Sequence, residues 1–252
     1  MNRLVLLAPL LVGVLIGLAV FAPLSAALKF AGVEAHGLSW SRAEGTVLDG
    51  RLTGLKASGE RYGDADLKLA PAALLAGRLE YTVDWQGEHG RGTGDLSVGV
   101  GGSLAARDFN LDLDLVRLEQ AALWIRQSGG RVELQGEAIR FGPGGCLSAS
   151  GTARSDVLER NQEILGAGWS PMQGELRCEG AALVIPLESE NTSGTRFRAE
   201  LRVAPQQPGR FDARVSGLIP RDLSFALPIA GFAPDGRDWV YSFSTSDRSG
   251  PT

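Results

Sequence analysis

The sequence of 252 residues predicts a mainly β protein, in which one N-terminal transmembrane helix is followed by a curved antiparallel β-sheet with a few short helices. Three observations predict this class: an uncharged apolar stretch near the N-terminus, short segments of alternating apolar and polar residues, and 34 glycines. Alternation with period two gives a strand one buried face. Glycine supplies the positive φ that tight turns require. The pattern is compatible with both an open groove and a closed sandwich.

The apolar stretch covers residues 4–28, between Arg3 and Lys29, and contains no charged side chain. A helix of this length reaches roughly 37 Å at about 1.5 Å per residue, enough to cross a hydrocarbon core of about 30 Å with tilt. Arg3 favours a cytoplasmic N-terminus, because positive flanks stay inside. A cleavable signal peptide is the alternative, since Ser25-Ala26-Ala27 has the small residues of a cleavage site. The expected organisation is a cytoplasmic tip (1–3), an inner-membrane anchor (4–28), a periplasmic β-rich domain (29–244) and a flexible tail (245–252).

Short amphipathic strands follow one another along the predicted periplasmic domain. The clearest are Leu79–Trp85 and Phe109–Leu115, in which every second residue is apolar. Linkers of two to five residues, such as 99–102 and 142–145, favour antiparallel hairpins, because parallel strands need crossovers of a dozen residues or more. Further strands are expected at Gly45–Asp49, Arg51–Ala57, Tyr62–Leu69, Leu96–Val100, Arg131–Arg140, Cys146–Arg154, Gly174–Cys178, Ala181–Leu187, Thr195–Val203, Phe211–Ser216 and Trp239–Phe243.

Three segments within the β domain are predicted to be helical. Pro71–Gly77 begins with proline and ends with glycine, the usual asymmetry of a short helix. Leu118–Trp124 is the second segment, and Ser155–Arg160 is the third, with Ser155 as its N-terminal cap. The two halves of the domain are loosely similar, which suggests a sub-boundary near residues 141–145.

Two cysteines, Cys146 and Cys178, lie in the predicted exported domain. An oxidising compartment allows them to form a disulfide bond, and we expect this bond rather than two unrelated buried thiols. A zinc site is not expected, because His36 and His89 are the only histidines and neither lies near a cysteine in the sequence. We therefore predict no metal and no cofactor.

Catalytic and nucleic-acid-binding patterns are missing from the sequence. The net charge is −4 and no cluster of Lys and Arg is present, so no nucleic-acid partner is expected. His36 and His89 lie in glycine-flanked, turn-like contexts with no partner nucleophile. Gly90–Gly94 lacks the Lys of a phosphate-binding loop and is interpreted as a β-turn. Asp112 and Asp114 share one strand face, which we interpret as solvated. The chain is predicted not to be an enzyme.

Two motifs in the first third of the chain resemble those of a known family. The first is Glu44–Leu55, Glu-Gly-Thr-Val-Leu-Asp-Gly-Arg-Leu-Thr-Gly-Leu, and the second is Tyr62–Leu79, which contains Leu-Ala-Pro-Ala-Ala-Leu-Leu-Ala-Gly. Their order is similar to the N-terminal signature of the type II secretion system protein N family, although Ala70 stands where many relatives have Ser. The later part of the chain is also similar, at Cys146, Trp169-Ser170-Pro171, Gly174–Cys178 and Ala182–Leu187.

The resemblance implies an accessory inner-membrane component of the machine that moves folded proteins from the periplasm to the exterior. Such a component acts by binding other secretion system proteins and not by chemistry. The family also looks like envelope proteins that handle lipids in a β-groove. This likeness gives the alternative prediction, a periplasmic protein that binds a lipid or another hydrophobe.

Overall fold

The structure is a computed structural model, which describes residues 21–30, 38–57, 60–99, 101–117, 129–166, 168–205 and 207–244. The contacts between residues divide the chain into two compact units. Unit 1 takes its residues from Met1–Glu88 and Gly92–Gly99, and unit 2 takes them from His89–Arg91 and Val100–Thr252. Both units are built from antiparallel strands with a few short helices, which confirms the predicted mainly β class.

The described residues of unit 1 form two short helices and six strands. The strands pair in the order β1-β3-β4-β5-β6, and β2 pairs with β3. Helix α2 begins at a proline, as predicted, and the chain then turns at Gly77 with a φ of 69°. The elements are α1 (Leu24–Phe30), β1 (Leu38–Ser39), β2 (Arg42–Gly45), β3 (Asp49–Ala57), β4 (Glu60–Leu69), α2 (Pro71–Leu75), β5 (Arg78–Gly87) and β6 (Gly90–Gly99).

Unit 2 is larger, and its described residues form three short α-helices and a 3-10 helix at Leu115–Arg117. Its strands pair in the order β7-β8-β9-β10-β12-β13-β14-β16-β15, and β11 pairs with β12. The elements are β7 (Leu104–Asp114), β8 (Arg131–Gly142), β9 (Gly145–Ser155), α3 (Val157–Arg160), α4 (Gln162–Leu165), β10 (Met172–Glu175), β11 (Arg177–Glu179), β12 (Ala182–Glu190), β13 (Thr195–Val203), β14 (Arg210–Gly217), α5 (Arg221–Ile229), β15 (Ala233–Asp235) and β16 (Asp238–Ser244).

One face of the unit 2 sheet is apolar and forms the main core. Alternation along β13 and β14 places Phe197 and Val215 on this face, opposite each other in register. Helices α3, α4 and α5 supply further apolar side chains to the same cluster, and Leu158 and Leu227 are almost completely buried. The short helices therefore cover part of the apolar face that the strands present.

Pro186 marks the point at which the pairing of β12 passes from one strand to another. Glu188 pairs with Gln173 of β10, whereas Val184 pairs with Arg177 of β11. Proline has no N–H for a ladder hydrogen bond, so it is tolerated within a sheet where the pairing is interrupted. The predicted strand Gly174–Cys178 is accordingly divided into β10 and β11.

Two predicted strand and turn positions differ from the structure. Gly45–Asp49 is not a strand, because β2 ends at Gly45, whose φ is 81°, and β3 begins at Asp49. Gly90–Gly94 is not a β-turn, because these residues form the start of β6. A Cβ at Gly90 would lie 2.1 Å from the carbonyl oxygen of Asp112, so glycine is needed there for close approach of a neighbouring backbone.

The three predicted helices have different outcomes. Pro71–Gly77 is confirmed as α2, and Leu118–Trp124 lies outside the described residues. The third begins later than predicted, at Val157, although the Ser155 hydroxyl accepts a hydrogen bond from the Val157 N–H at 3.4 Å. Helices α4 and α5 were not predicted.

Most of the predicted membrane segment, residues 4–20, lies outside the described residues. Ala22 and Pro23 are not helical, and α1 begins at Leu24. Within the described part of the chain, no helix combines the length and the apolar character needed to cross a membrane. The sub-boundary expected near 141–145 falls instead inside the β8–β9 hairpin, where Gly142 pairs with Gly145, and the contacts divide the chain near residues 88–100.

Candidate functional site

Helix α5 of unit 2 exposes an unusually apolar outer face. Leu223 and Leu227 point into the core and are 3% and 1% exposed. Phe225 and Ile229, also four residues apart, lie on the opposite side and are 75% and 87% exposed. Leu218, just before the helix, is 74% exposed. We refer to Leu218, Phe225 and Ile229 together as the α5 surface.

The two ends of α5 are firmly held. Pro220 precedes the helix in an extended conformation, which suits proline at a helix start. At the other end the Ala230 N–H donates to the Ala226 carbonyl at 3.0 Å, and the Phe232 N–H donates to the Leu227 carbonyl at 2.9 Å. Phe232 is buried. The exposure of the α5 surface is therefore built into a well-bonded element.

A strand edge lies next to the end of α5. The rings of Phe232 and Tyr241 are 5.6 Å apart between centroids, which places the helix end against β16. Strand β15 pairs with only the first part of β16, Asp238–Val240. Beyond that point, no strand of the described residues pairs with Tyr241–Phe243 on the side away from β14. Such an edge can accept an extended segment from a partner.

The β15–β16 hairpin beside this edge is fixed by charge. Arg214 donates to Asp235 at 3.1 Å and to Asp238 at 2.7 Å. Both carboxylates flank the turn of the hairpin, so one guanidinium from β14 holds its two strands together. The short β15 consequently has a defined place on the edge.

The polar face of unit 2 carries a closed ring of four charged side chains. Arg177 pairs with Glu179 at 2.7 Å and with Glu200 at 3.4 Å, and Arg202 pairs with the same two carboxylates at 2.7 and 2.5 Å. Val184, which lies between Arg177 and Arg202 in register, is completely buried beneath them. The Arg177 guanidinium lowers the pKa of Glu179 below its ordinary value; desolvation opposes this effect and Arg202 reinforces it. The Glu179 carboxylate is therefore held ionised as a structural partner of both arginines.

The residues singled out in the sequence do not converge on one site. Cys146 and Cys178 are joined by a disulfide bond, with their Cα atoms 5.6 Å apart. His89 lies in the turn before β6. Asp112 pairs with an arginine, whereas an oxygen of Asp114 accepts the Val116 N–H at 3.0 Å. His36 lies outside the described residues.

No set of metal ligands was predicted, and the described residues contain no group of three or more His, Cys, Asp or Glu side chains that could hold a metal ion. Sequence reasoning missed the α5 surface. The signal that could have found it is the pair of four-residue spacings, Leu223 with Leu227 and Phe225 with Ile229, which Pro228 obscures as a helical pattern.

Comparison with known proteins gives two matches. Residues 36–241 match the family model described as type II secretion system (T2SS), protein N. The type II secretion system protein N of Vibrio cholerae serotype O1 is 25% identical over 187 residues, which cover 71% of each chain. No solved structure matches the chain.

Proposed function

Since this chain belongs to the type II secretion system protein N family, we propose that it is a non-enzymatic assembly component of that system, anchored in the inner membrane with its β units in the periplasm. In this role it binds other secretion system proteins. The observation that carries the proposal is the α5 surface, where Phe225 and Ile229 are 75% and 87% exposed on a well-bonded helix. The strand edge at Tyr241–Phe243 would extend the same docking region.

The energetics favour a protein partner for the α5 surface. Complete burial of a large apolar side chain stabilises a complex by about 1.5–3 kcal/mol relative to exposure. Protein interfaces usually depend on a few such anchors at their centre, surrounded by polar residues. Phe225 and Ile229 would be the anchors of such an interface. Arg221 and Asp222, which are both exposed, would form part of its polar rim.

The length of the apolar N-terminal segment supports the anchor. Leu24 is buried in unit 1, so the segment available to the membrane is residues 4–21. A helix of that length reaches roughly 27 Å, close to the hydrocarbon thickness of about 30 Å. A span of residues 4–21 would cross the membrane without the tilt that the predicted span of residues 4–28 requires.

Co-purification from detergent-solubilised membranes tests the docking role. We expect Phe225→Glu with Ile229→Glu to reduce both the secretion components that co-purify and the release of exoproteins by about tenfold, because a carboxylate cannot be buried in an apolar interface. The matched control is Leu104→Glu with Leu147→Glu, which also adds charge to exposed apolar positions of unit 2. If both variants bound the secretion components equally well, the α5 surface would not be the docking surface. If deletion of the whole gene left exoprotein release unchanged and no secretion component co-purified, the function itself would be excluded.

A partly open apolar row in unit 2 favours a second candidate function, the binding of a lipid or another hydrophobe. Leu201 pairs with Ile185 on one side and with Phe211 on the other, and Phe211 pairs with Phe243. These four side chains share one face, and Leu201 is 37% exposed. Mass spectrometry of the purified protein should then detect bound lipid, and Leu201→Glu should release it. Recovery of the wild-type protein without lipid would argue against this candidate.

A further inference from the structure

The chain turns sharply between β2 and β3, at residues 45–50. Gly45 has a φ of 81°, and the Thr46 N–H donates to the Asp49 carbonyl at 2.9 Å. The Asp49 N–H in turn donates to the Thr46 hydroxyl oxygen at 3.3 Å. The hydrogen bonds give this turn a fixed shape, and we refer to residues 45–50 as the β2–β3 turn.

The end of the apolar N-terminal segment packs on the β2–β3 turn. Pro23 forms an antiparallel bridge with Thr46, and the Val47 N–H donates to the Ala22 carbonyl at 3.1 Å. Leu24 is only 3% exposed. Three consecutive residues of the N-terminal segment are therefore held at the β2–β3 turn by a hydrogen bond, a backbone bridge and a buried side chain.

Gly50 makes room for this contact. A Cβ at Gly50 would lie 2.6 Å from Cδ2 of Leu24, closer than real Cβ atoms come to other heavy atoms. It would also lie 2.9 Å from the Thr46 carbonyl oxygen, so both the turn and its occupant require glycine. The side chain of Leu24 therefore occupies the space that a side chain at residue 50 would need.

We propose that the β2–β3 turn is a docking site for Ala22–Leu24, which fixes the strands of unit 1 to the end of the membrane span. The proposal rests on the anchor described under the proposed function. A flexible chain between Phe21 and Leu38 would allow these strands a root-mean-square distance of roughly 21–25 Å from the bilayer. When Ala22–Leu24 occupies the site, the distance between the end of the span at Phe21 and the docked segment falls to the length of about one residue.

Docking also has a consequence for processing of the chain. Ser25-Ala26-Ala27, the candidate cleavage site, lies inside helix α1 and follows the buried Leu24. Cleavage there would remove Ala22–Leu24 from the β2–β3 turn and leave Gly50 facing an empty space. The proposal therefore requires that the mature chain keeps its N-terminal segment.

Hydrogen exchange of the full chain in nanodiscs tests the contact, because the Val47 amide is protected by the Ala22 carbonyl. We expect Leu24→Ala to accelerate exchange at Val47 by about tenfold. Leu74→Ala is the matched control, since Leu74 is a half-exposed leucine of α2 in the same unit. Unchanged exchange at Val47 in Leu24→Ala would overturn the proposal, as would an intact mass showing that the chain begins after Ala27.

A second variant separates docking from a simple defect in the turn. Gly50→Ala alone should also expose Val47, and Leu24→Ala added to Gly50→Ala should restore part of the protection, because the shorter side chain leaves room for the new methyl group. Purely additive effects would overturn the direct contact. None of these readouts depends on secretion, so a failure of docking can be distinguished from a failure of the secretory role.

Discussion

At the scale of single residues, unit 2 shows how charged side chains can bury an apolar one on the polar face of a sheet. Val184 pairs with Arg177 on one side and with Arg202 on the other, so it shares their face of the sheet, yet it is completely buried. A single exposed ion pair adds little stability, but side chains that share partners restrict one another and act as a network. The ring thus takes part in packing as well as in electrostatics.

The ring predicts a defined pH dependence. The pKa of Glu179 is lowered in the folded protein from its ordinary value of 4.5, chiefly by the hydrogen bond from Arg177. A lowered pKa contributes stability above the unfolded value, and this contribution disappears as the pH falls through the folded value. We expect Glu179→Gln to be less stable than wild type at pH 7 in urea denaturation, and this deficit to shrink as the pH falls below the ordinary pKa of the carboxyl group. Glu163→Gln, a change at an exposed carboxylate of α4, should match wild type at each pH, and a Glu179→Gln deficit that does not change with pH would contradict the prediction.

The disulfide bond should contribute substantially to the stability of unit 2. Cys146 and Cys178 are 32 residues apart, and closing a loop of that length stabilises the folded state by about 3–4 kcal/mol in the chain-entropy treatment. We expect the double change Cys146→Ser with Cys178→Ser to lower the free energy of unfolding by about that amount in urea denaturation. Reduction of the wild-type protein is the control and should give the same loss. Identical urea midpoints for the oxidised, reduced and Ser-substituted proteins would disprove the contribution.

At the scale of elements, α5 separates two roles on its opposite faces. Leu223 and Leu227 are buried and hold the helix on the sheet, whereas Phe225 and Ile229 are exposed to solvent. An exposed pair of this kind is unusual in a surface helix, because apolar residues normally occupy the face toward the core. The inner face thus anchors the helix in the core, and the outer face remains exposed as the proposed docking surface.

This separation can be measured by alanine substitution. Leu227→Ala should lower the free energy of unfolding by about 2–5 kcal/mol, because it opens a cavity in the core. Ile229→Ala should change it by less than about 0.5 kcal/mol, because the side chain is already in solvent. Urea denaturation monitored by circular dichroism compares the two variants. A loss in Ile229→Ala as large as that in Leu227→Ala would show that Ile229 packs against the protein itself.

The elements also show what the sequence could and could not predict. Thr195–Val203 was predicted with the bounds of β13, because its alternation is clean and both of its ends are marked by turns. Helix α5 was missed, because nine residues with an internal proline give a weak helical signal, and the core beneath them supplies the stabilisation. The sequence predicts a strand at Gly45–Asp49, where the structure has a turn, because the local pattern does not show that this segment contacts Ala22–Leu24.

At the scale of the whole molecule, the chain combines an apolar N-terminal segment with two β units that carry no catalytic set recognised in the sequence. Composition and glycine content were enough to predict the β class, and the order of the family motifs was enough to predict the family. The division near residues 88–100 was not predicted. This division falls within β6, whose first two residues belong to unit 2. It depends on contacts between residues that are distant in the sequence, which a local pattern does not reveal.

Membrane attachment is the prediction that belongs to the whole molecule. Replacement of residues 1–21 by a cleavable signal peptide should convert the protein from a membrane protein to a soluble periplasmic one, because the uncharged segment is the proposed anchor. Alkaline extraction of membranes followed by fractionation measures the change. The wild-type chain should resist extraction and be digested by protease only in spheroplasts. Recovery of the wild-type chain in the cytosol with reduced cysteines would contradict the topology and the disulfide together.

Pro186 has a consequence for how unit 2 assembles. Because it cannot donate a hydrogen bond, only one alignment of β12 places it opposite the break between β10 and β11. A slip of one residue would set it against an acceptor that it cannot satisfy and would turn every side chain of β12 to the wrong face. Pro186 therefore disfavours misaligned pairings of β12 with its neighbouring strands.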